Sequence, residues 1–253
     1  MQPTRGSRIV GGVQRIPLAA DCRVAILTGA GISAESGLST FRDAGGLWEQ
    51  YRFEEVASPE AWVRDPELVW RFYSMRREQA AAAKPNAGHL ALAALEDKLG
   101  DRLFLCTQNV DALHEAAGSK RVVHMHGELN KTRCESCDRE PFEDHALYLD
   151  AVPRCDRCGA RLRPHIVWFG EVPLELHPIK RAVQSSDWFI TIGSSGSVYP
   201  AAGLVREMTY RRTCGERVHT LYVGPERPDN ASEFDEIVLG TAGAVLPTLF
   251  EVG

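Results

Sequence analysis

Residues 23–43 read RVAILTGAGISAESGLSTFRD, and this stretch indicates the fold of the chain around it. Its first part, Val24 to Leu27, is a short apolar run with the composition of a buried strand in a parallel sheet. The turn that follows, Gly29 to Ala34, fits the pattern G-x-G-x-x-G/A of a dinucleotide-binding loop. We therefore predict that this turn binds a diphosphate, because glycine lets backbone N–H groups approach the phosphates closely.

The segment after this turn differs from an ordinary dinucleotide-binding unit. Such a unit continues into a long helix and then a second strand with an acidic end. Here the chain instead enters FRDAGGLW, from Phe41 to Trp48, a glycine-rich loop with two aromatic and two charged residues. We predict that this loop is a lid over the bound dinucleotide.

Composition narrows the class of protein. The chain has 253 residues, of which 44% are hydrophobic and 25% charged, as in ordinary globular proteins. A net charge of −5 argues against nucleic acid as the main partner. No apolar run approaches the ~20 residues that a membrane span requires. Residues 1–17 lack the apolar segment of a signal peptide, so we expect a cytoplasmic protein.

Four of the seven cysteines form two close pairs, Cys134-x2-Cys137 and Cys155-x2-Cys158. This is the spacing of a four-cysteine zinc site. Four thiolates complete the tetrahedron and leave no position for a catalytic water, so we expect one structural Zn²⁺. The three remaining cysteines are expected to be small core residues.

Predicted strands alternate with predicted helices along most of the chain, which indicates a parallel sheet with helices on both faces. Helices are predicted at residues 66–83, 87–99, 201–212 and 244–251, and strands at 24–27, 103–107, 122–123, 166–169, 188–192, 218–223 and 237–239. Residues 128–163 are polar and cysteine-rich and could not form a core without a metal.

The predicted fold class is therefore α/β, a Rossmann-like doubly wound parallel sheet with a small inserted zinc-ribbon domain. Residues 18–127 and 164–253 would form the Rossmann-like domain that binds the dinucleotide. Residues 128–163 would be the zinc-binding insert, and residues 1–17 an N-terminal extension.

Four predicted strands end in polar sequences: GAGIS, QNVD, HMHG and GSSG. Ligands of open parallel sheets bind outside the carboxyl ends of the strands, so these four ends should form one site. The alternative is that they are simple turns, where Gly, Asn, Ser and Asp are common. Of the two histidines in HMHG, we predict His126 as a general base and His124 as a structural residue, although spacing alone does not separate them.

The motifs GAGISAESGLSTFRD, TQNVDALH, HMHGEL, PHIVWFGE and GSSGSVYPAA, with the two cysteine pairs, occur in the order seen in sirtuins. The resemblance extends from about residue 22 to residue 250. Sirtuins are NAD-dependent protein-lysine deacylases in which the acyl oxygen attacks C1′ of the nicotinamide ribose. The resemblance implies that His126 then deprotonates a ribose hydroxyl, and that the products are nicotinamide, free lysine and O-acyl-ADP-ribose.

The resemblance also implies which residues contact NAD and the substrate peptide. For NAD they are Gly29, Ala30, Gly31, Ile32 and Ser33 in the turn, Phe41, Arg42, Asp43 and Trp48 in the lid, Gln108, Asn109 and Asp111, then Gly193, Ser194 and Ser195, and Ala242. The segments Val167–Glu171, with Val167, Phe169 and Gly170, and Gly196–Tyr199 would bind the peptide as an added strand. The sequence Tyr222–Glu226 lacks the asparagine that many sirtuins place there against the adenosine ribose.

Tyr73 and Arg76 are three residues apart on a predicted helix, so they share one face and could reach the same ligand. A phenol and a guanidinium together suit a carboxylate. The alternative is that Arg76 lies on a solvated face and Tyr73 in the core. The pair resembles the Y-x-x-R motif of class III sirtuins, which implies a preference for succinyl- or malonyl-lysine with acetyl-lysine still accepted.

Several other functions remain open from the sequence. A general deacetylase without acidic-acyl preference, or a mono-ADP-ribosyltransferase, would use the same NAD site. A redox enzyme that uses NAD for hydride transfer would release no free nicotinamide. A zinc-ribbon module that binds nucleic acid or protein would require a more basic insert or stacking aromatic residues. We expect acylated-lysine proteins as partners, no specific nucleic acid, no membrane, and a monomeric protein.

Overall fold

The protein is represented by a computed structural model that describes residues 7–9, 15–38 and 51–253. The lid residues Phe41, Arg42, Asp43 and Trp48 therefore lie outside the described residues. No helix in the described ranges is both long and apolar enough to cross a membrane.

The described strands, in chain order, are β1 (Ser7–Ile9), β2 (Ile16–Leu18), β3 (Val24–Thr28), β4 (Leu103–Thr107), β5 (Val122–His124), β6 (Gly127–Cys134), β7 (Phe142–Glu143), β8 (Leu162–Ile166), β9 (Trp188–Ile192), β10 (His219–Gly224), β11 (Glu236–Leu239) and β12 (Phe250–Val252). The described α-helices are α1 (Phe53–Val56), α2 (Pro59–Arg64), α3 (Pro66–Ala82), α4 (Ala87–Leu99), α5 (Leu113–Ala116), α6 (Leu176–Gln184), α7 (Val205–Thr213) and α8 (Ala242–Leu249).

Seven of these strands form one parallel sheet, in the order β1-β11-β10-β9-β3-β4-β5. The chain runs from β3 through β4 to β5 on one side and from β9 through β10 to β11 on the other. Strand order therefore reverses between β3 and β9, the point at which open α/β sheets bind their ligands. The predicted fold class is confirmed.

Strand β3 is buried on both faces, which explains its continuous apolar sequence. Val24 and Ile26 face a core cluster that includes side chains of α4 and α8. Ala25 and Leu27 face the opposite cluster, which includes side chains of α6 and α7. The sheet is thus covered by helices on both sides, and its carboxyl end remains available for a site.

A second, antiparallel sheet forms the region predicted as the zinc-binding insert. It has the order β7-β6-β8 and pairs Lys131 with Glu143 and Cys134 with Leu162. The local buried cluster described there is small and consists of Cys134, Cys155 and Leu162. Helix α3 packs against this sheet, with Trp70 donating a hydrogen bond to the Leu162 carbonyl at 2.8 Å.

Most predicted elements match the structure closely. Helix α3 begins at Pro66, and the Asp65 carboxylate accepts a hydrogen bond from the Leu68 N–H at 2.9 Å, as an N-cap should. Helix α4 and strands β4 and β9 have the predicted bounds. The predicted strand at 166–169 is wrong, because β8 ends at Ile166. After β8, the Trp168 N–H donates to the Glu171 carboxylate at 2.8 Å instead of to a neighbouring strand.

Other differences lie at the chain ends and after β9. The helix predicted at 201–212 is a short 3-10 turn at Ala201–Gly203 followed by α7. The closing helix ends at Leu249, because the next residues form β12 and pair with β2. Ser7–Ile9, within the segment predicted as an N-terminal extension, forms an edge strand beside β11. The division into domains remains a prediction.

Candidate active site

A cavity of about 1040 Å³ opens at the carboxyl ends of the central strands. Residues from all four polar strand ends line it, which favours one site over four unrelated turns. The predicted site residues along it are Gly29, Ala30, Gly31, Ser33, Tyr73, Arg76, Gln108, Asn109, Asp111, His126, Val167, Phe169, Gly170, Gly193, Ser194 and Ser195. Ile32 and Ala242 instead lie in the hydrophobic core beneath the cavity.

Three glycines bring the ends of β3 and β9 into backbone contact. The Gly29 N–H donates to the Ile192 carbonyl at 2.9 Å, and the Gly31 N–H donates to the Gly193 carbonyl at 2.8 Å. A Cβ at Gly31 would lie 2.8 Å from the Gly193 Cα, and Gly193 itself has a φ of +62°. Glycine is therefore required here for the two turns to approach each other, and the N–H of Gly31 is already occupied by this contact.

Buried polar side chains form one wall of the cavity. The Ser33 hydroxyl donates to the Asp111 carboxylate at 3.1 Å and accepts from the Asn109 amide at 3.0 Å. The Gln108 amide donates to the Ser194 hydroxyl at 2.9 Å. These bonds connect three strand ends and fix donors and acceptors that a polar ligand could use.

His126 is placed to act as a base. Its Nδ1 lies 3.1 Å from the Gln108 carbonyl, which can only accept, so Nδ1 carries the hydrogen. In the neutral ring Nε2 then has the available lone pair. Burial lowers the pKa of His126 from its ordinary value, so the ring is neutral at physiological pH.

His124 is in a different environment, two residues earlier. Its Nε2 lies 2.8 Å from the Glu115 carboxylate, and its Nδ1 lies 3.0 Å from the Asn109 carbonyl. Burial opposes the charged form, but the hydrogen bond and charge of Glu115 outweigh it and raise the pKa of His124. Both nitrogens of His124 are engaged within the protein, which suits the structural role that was predicted for it.

Side chains of α3 near Tyr73 point in two directions, some toward the cavity and one toward the insert. Tyr73 is buried and lines the cavity together with Arg76. Burial lowers the pKa of Arg76, while Tyr73 and Asp111 act in the opposite direction. Arg77 points into the insert, where it pairs with Asp144 at 3.5 Å and donates to the Leu129 carbonyl at 2.6 Å. One arginine therefore faces the cavity and the next one is structural.

The four paired cysteines, Cys134, Cys137, Cys155 and Cys158, converge at the end of the insert. Their sulfur atoms all lie within 4.8 Å of one another. The Sγ–Sγ distances are 3.5 Å for Cys134 and Cys158 and 3.8 Å for Cys137 and Cys155. Zn–S bonds of about 2.3 Å in a tetrahedron require spacings of this size, so the cluster fits a structural zinc ion.

Comparison with known proteins identifies the family. The Sir2 family model matches residues 29–200. This chain belongs to the Sir2 family. The match confirms the resemblance to sirtuins that the motifs indicated.

Curated relatives and solved structures agree with this assignment. A Caulobacter vibrioides protein named NAD-dependent protein deacylase is 51% identical over 90% of this chain and 95% of its own length. An Escherichia coli K12 protein of the same name is 49% identical over 90% and 81%. A Sir2 homologue solved in complex with NAD has a TM-score of 0.80 and 41% identity, with 90% of this chain and 88% of that chain covered.

The structure adds residues to this Sir2 site that sequence reasoning did not assign. Trp168 lines the cavity and lies within Val167–Glu171, the segment predicted to bind the peptide, where it was not singled out as a contact. His89 approaches the Ser33 hydroxyl at 3.5 Å from helix α4. The Glu35 carboxylate accepts from the Gly243 N–H at 2.7 Å and so ties the turn after β3 to α8. His89 lies far from Ser33 in the chain, and no local pattern in the sequence indicates their contact.

Proposed function

We propose that this Sir2-family chain is an NAD-dependent protein deacylase that prefers lysines carrying a short acidic acyl group, such as succinyl or malonyl, and also accepts acetyl-lysine. The observation that carries the acyl preference is the position of Tyr73 and Arg76. Both line the same cavity as His126, and so the acyl group and the reacting centre would share one site.

Family membership and the names of the curated relatives support NAD-dependent deacylation. Within this chain the turn Gly29–Ser33 and the adenosine-side residues Gly193–Ser195 would hold NAD, and Asn109 and Asp111 would hold its nicotinamide half. His126 would accept a proton at Nε2 from a ribose hydroxyl, since Nδ1 is already committed to the Gln108 carbonyl.

The peptide would bind between two segments at the mouth of the cavity. One contains Val167, Phe169 and Gly170, and the other runs from Gly196 to Tyr199. The first is held in place because the Val167 N–H donates to the His126 carbonyl at 2.9 Å. A solved Sir2 relative that holds a deacetylated peptide and 3′-O-acetyl-ADP-ribose is 29% identical, with a TM-score of 0.76 over 87% of this chain and 89% of that chain. The peptide in this relative supports peptide binding between the two segments at the mouth of the cavity.

The preference for an acidic acyl group follows from charge and burial. An arginine in a buried cavity gains most from an anionic partner, because the low local dielectric strengthens the interaction. A succinyl carboxylate could take the Arg76 guanidinium and the Tyr73 hydroxyl together. An acetyl group offers no anionic partner to these two side chains, which lowers affinity without preventing entry.

The test compares kcat/KM for succinyl- and acetyl-lysine forms of one peptide in wild type, Arg76→Met and Arg71→Met. We expect Arg76→Met to lower the succinyl value about 10- to 100-fold, the range for a hydrogen bond to a charged group, and to change the acetyl value little. Arg71→Met is the matched control, because Arg71 lies on the same helix but donates to the Leu149 carbonyl of the insert.

Three results would count against the proposal. An unchanged succinyl preference in Arg76→Met would show that Arg76 does not select the acidic acyl group. Equal kcat/KM values for the two peptides in wild type would indicate a general deacetylase. Labelled ADP-ribose that ends on protein rather than on a small molecule would indicate mono-ADP-ribosyl transfer instead of deacylation.

We also propose acylated proteins as partners of a monomeric enzyme in the cytoplasm, with no specific nucleic-acid ligand. The net charge of −5 supports the last point. Size-exclusion chromatography with light scattering tests the monomer, and a gel shift at physiological salt tests nucleic-acid binding.

A further inference from the structure

His124 connects the two ends of the loop that carries Asn109 and Asp111. This loop runs from Asn109, just after β4, to Glu115 in α5, and Asp111 lies between them. The His124 ring contacts both ends: Nδ1 lies 3.0 Å from the Asn109 carbonyl oxygen, and Nε2 lies 2.8 Å from the Glu115 carboxylate. Asn109 and Asp111 line the cavity, whereas His124 does not. The ring therefore joins the loop ends without touching a ligand in the cavity.

Both partners of the His124 ring are acceptors, so both ring nitrogens carry hydrogen. A carbonyl oxygen can only accept, and so can an ionised carboxylate. For His124 and Glu115 alike, burial opposes the charged form, but the hydrogen bond between them outweighs it. The pKa of His124 is therefore raised and that of Glu115 is lowered. The link between the two loop ends is thus an imidazolium ion, with a side chain that is only 6% exposed.

A neutral His124 ring could not make both contacts, because it has one N–H and one lone pair. With the hydrogen on Nε2, the Nδ1 lone pair would face the Asn109 carbonyl oxygen. With the hydrogen on Nδ1, the Nε2 lone pair would face the Glu115 carboxylate. Loss of the proton therefore replaces one of the two hydrogen bonds with a repulsive contact, and one end of the loop is released.

The other contacts of this loop lead to the cavity. The Asn109 amide donates to the Ser33 hydroxyl at 3.0 Å and to the Gly29 carbonyl at 3.2 Å. The Asp111 carboxylate accepts from the same Ser33 hydroxyl and from the Leu113 N–H, each at 3.1 Å. A shift of either loop end would therefore disturb polar groups that a ligand meets. A loop that is already fixed also costs less to order when the ligand binds.

Two further titratable groups act on the charge of His124. Glu128 in β6 favours the charged ring. His114, beside Glu115 in α5, would oppose it if charged. Burial, followed by the charge of His89, lowers the pKa of His114 to about 3, so His114 is neutral at physiological pH. The charge on His124 therefore depends on the two acidic side chains, and only Glu115 contacts the ring.

We propose that His124 is a positioning residue for NAD binding: as an imidazolium it holds Asn109 and Glu115 together and so keeps Asn109 and Asp111 directed at the nicotinamide half of NAD. This role rests on the proposed placement of that half at Asn109 and Asp111. Because His124 acts through the loop, loss of its proton should weaken NAD binding and leave kcat at saturating NAD little changed. NAD affinity should fall as the pH rises through the raised pKa of His124.

The first test measures binding instead of turnover. Calorimetric titration of wild type with NAD between about pH 6 and 9 should show an affinity that falls about three- to tenfold toward alkaline pH, the range for one hydrogen bond. NMR titration of the His124 ring should give a pKa above the ordinary value of about 6.5. NAD should raise this pKa further, because the coupling between the proton and NAD is reciprocal.

Glu115→Gln and Glu128→Gln form a matched pair of variants. Each removes one negative charge that favours the charged ring, but only Glu115 accepts a hydrogen bond from it. Glu115→Gln should lower the pKa of His124 and move the loss of NAD affinity to lower pH, and Glu128→Gln should do so less. Neither variant removes the ring, so this comparison stays informative if substitution of His124 itself impairs folding.

His124→Asn removes the charge while it retains an N–H for the Asn109 carbonyl. At every pH it should bind NAD with the weakened affinity that wild type has at alkaline pH. An alkaline loss of NAD affinity that persists in this variant would overturn the role of His124. Equal shifts in Glu115→Gln and Glu128→Gln would also overturn it, because the contact with Glu115 would then have no special effect.

ADP-ribose, which lacks nicotinamide, separates this role from the proposed placement of NAD. Its affinity should change little over the same pH range. An equal alkaline loss for ADP-ribose and NAD would overturn the placement of the nicotinamide half at Asn109 and Asp111, and the role of His124 with it. Affinities that do not depend on pH for either ligand would overturn the role of His124 alone. A loss confined to NAD that disappears in His124→Asn supports both.

Discussion

At His126 a single hydrogen bond determines which ring nitrogen can accept a proton. The Gln108 carbonyl oxygen accepts a hydrogen bond from Nδ1 at an N···O distance of 3.1 Å, so the lone pair of Nε2 is available to accept a proton. Two residues earlier, His124 uses both nitrogens inside the protein. The two histidines look equivalent in the sequence HMHG, but their different neighbours shift their pKa values in opposite directions.

The pH dependence of turnover should follow His126. Because burial lowers its pKa, the active neutral form is present at and above pH 6.5 and is lost as the pH falls through the lowered value. We expect kcat/KM for an acetyl peptide to have an acidic limb with its midpoint below about 6.5. Measurement from pH 5 to 8 checks this.

His126→Gln is the accompanying variant, and it should lower kcat/KM about 100- to 10,000-fold and remove the acidic limb. NAD binding, measured by calorimetry, should be retained. A limb that remains in this variant would assign the titration to another group.

At the scale of elements, helix α3 connects the insert to the cavity in which the acyl group is proposed to bind. Arg77 on one side of α3 donates to carbonyls of the insert at Leu129, 2.6 Å, and Ala146, 2.7 Å. Tyr73 and Arg76, on the same helix, line the cavity. A zinc ion held by the four cysteines would therefore stabilise the sheet against which α3 packs, although none of the four cysteines lines the cavity.

Removal of zinc should damage acyl recognition before NAD binding. A chelator would release the insert, whose own buried cluster is small, and α3 would lose its anchors. We expect a lower Tm and a loss of peptide binding at chelator levels where NAD still binds, since the NAD-side residues are held by the parallel sheet. Calorimetric titration of each ligand during stepwise chelation measures this order, and parallel loss of both ligands would contradict it.

At the scale of the whole molecule, a buried imidazole beneath the site makes stability depend on pH. His114 is 1% exposed, and its Nε2 lies 2.9 Å from the Thr28 hydroxyl. Burial, followed by the charge of His89, lowers the pKa of His114 to about 3. Unfolding releases this ring to water, where its pKa is about 6.5, so acid favours the unfolded state.

His114 should make the fold sensitive to mild acid. Its contribution to stability is present above pH 6.5 and is lost progressively as the pH falls toward 3. At pH 5 the loss relative to pH 7 is about 2 kcal/mol in the free energy of unfolding. Urea unfolding at the two pH values should show a smaller difference for His114→Gln than for wild type.

Much of this molecule follows from local sequence. Asp65 before Pro66, and Gly100 after Leu99, mark helix ends that the structure reproduces, because caps act within a few residues. Strand β3 is recognisable because burial on both faces requires a continuous apolar run. The glycine turn and the two cysteine pairs are likewise recognisable, since phosphate turns and tetrahedral zinc sites restrict which residues can occupy neighbouring positions.

Contacts between distant segments depend on the tertiary structure alone. The sequence determined that this is a doubly wound α/β chain with a zinc insert and polar strand ends. Only the folded chain decided that Gly31 packs on Gly193, that Arg76 faces the cavity while Arg77 faces the insert, and that Trp168 lines the same cavity as Tyr73. The reason is physical: burial and hydrogen-bond partners are set by whichever elements meet in space, and these meet across long separations in sequence.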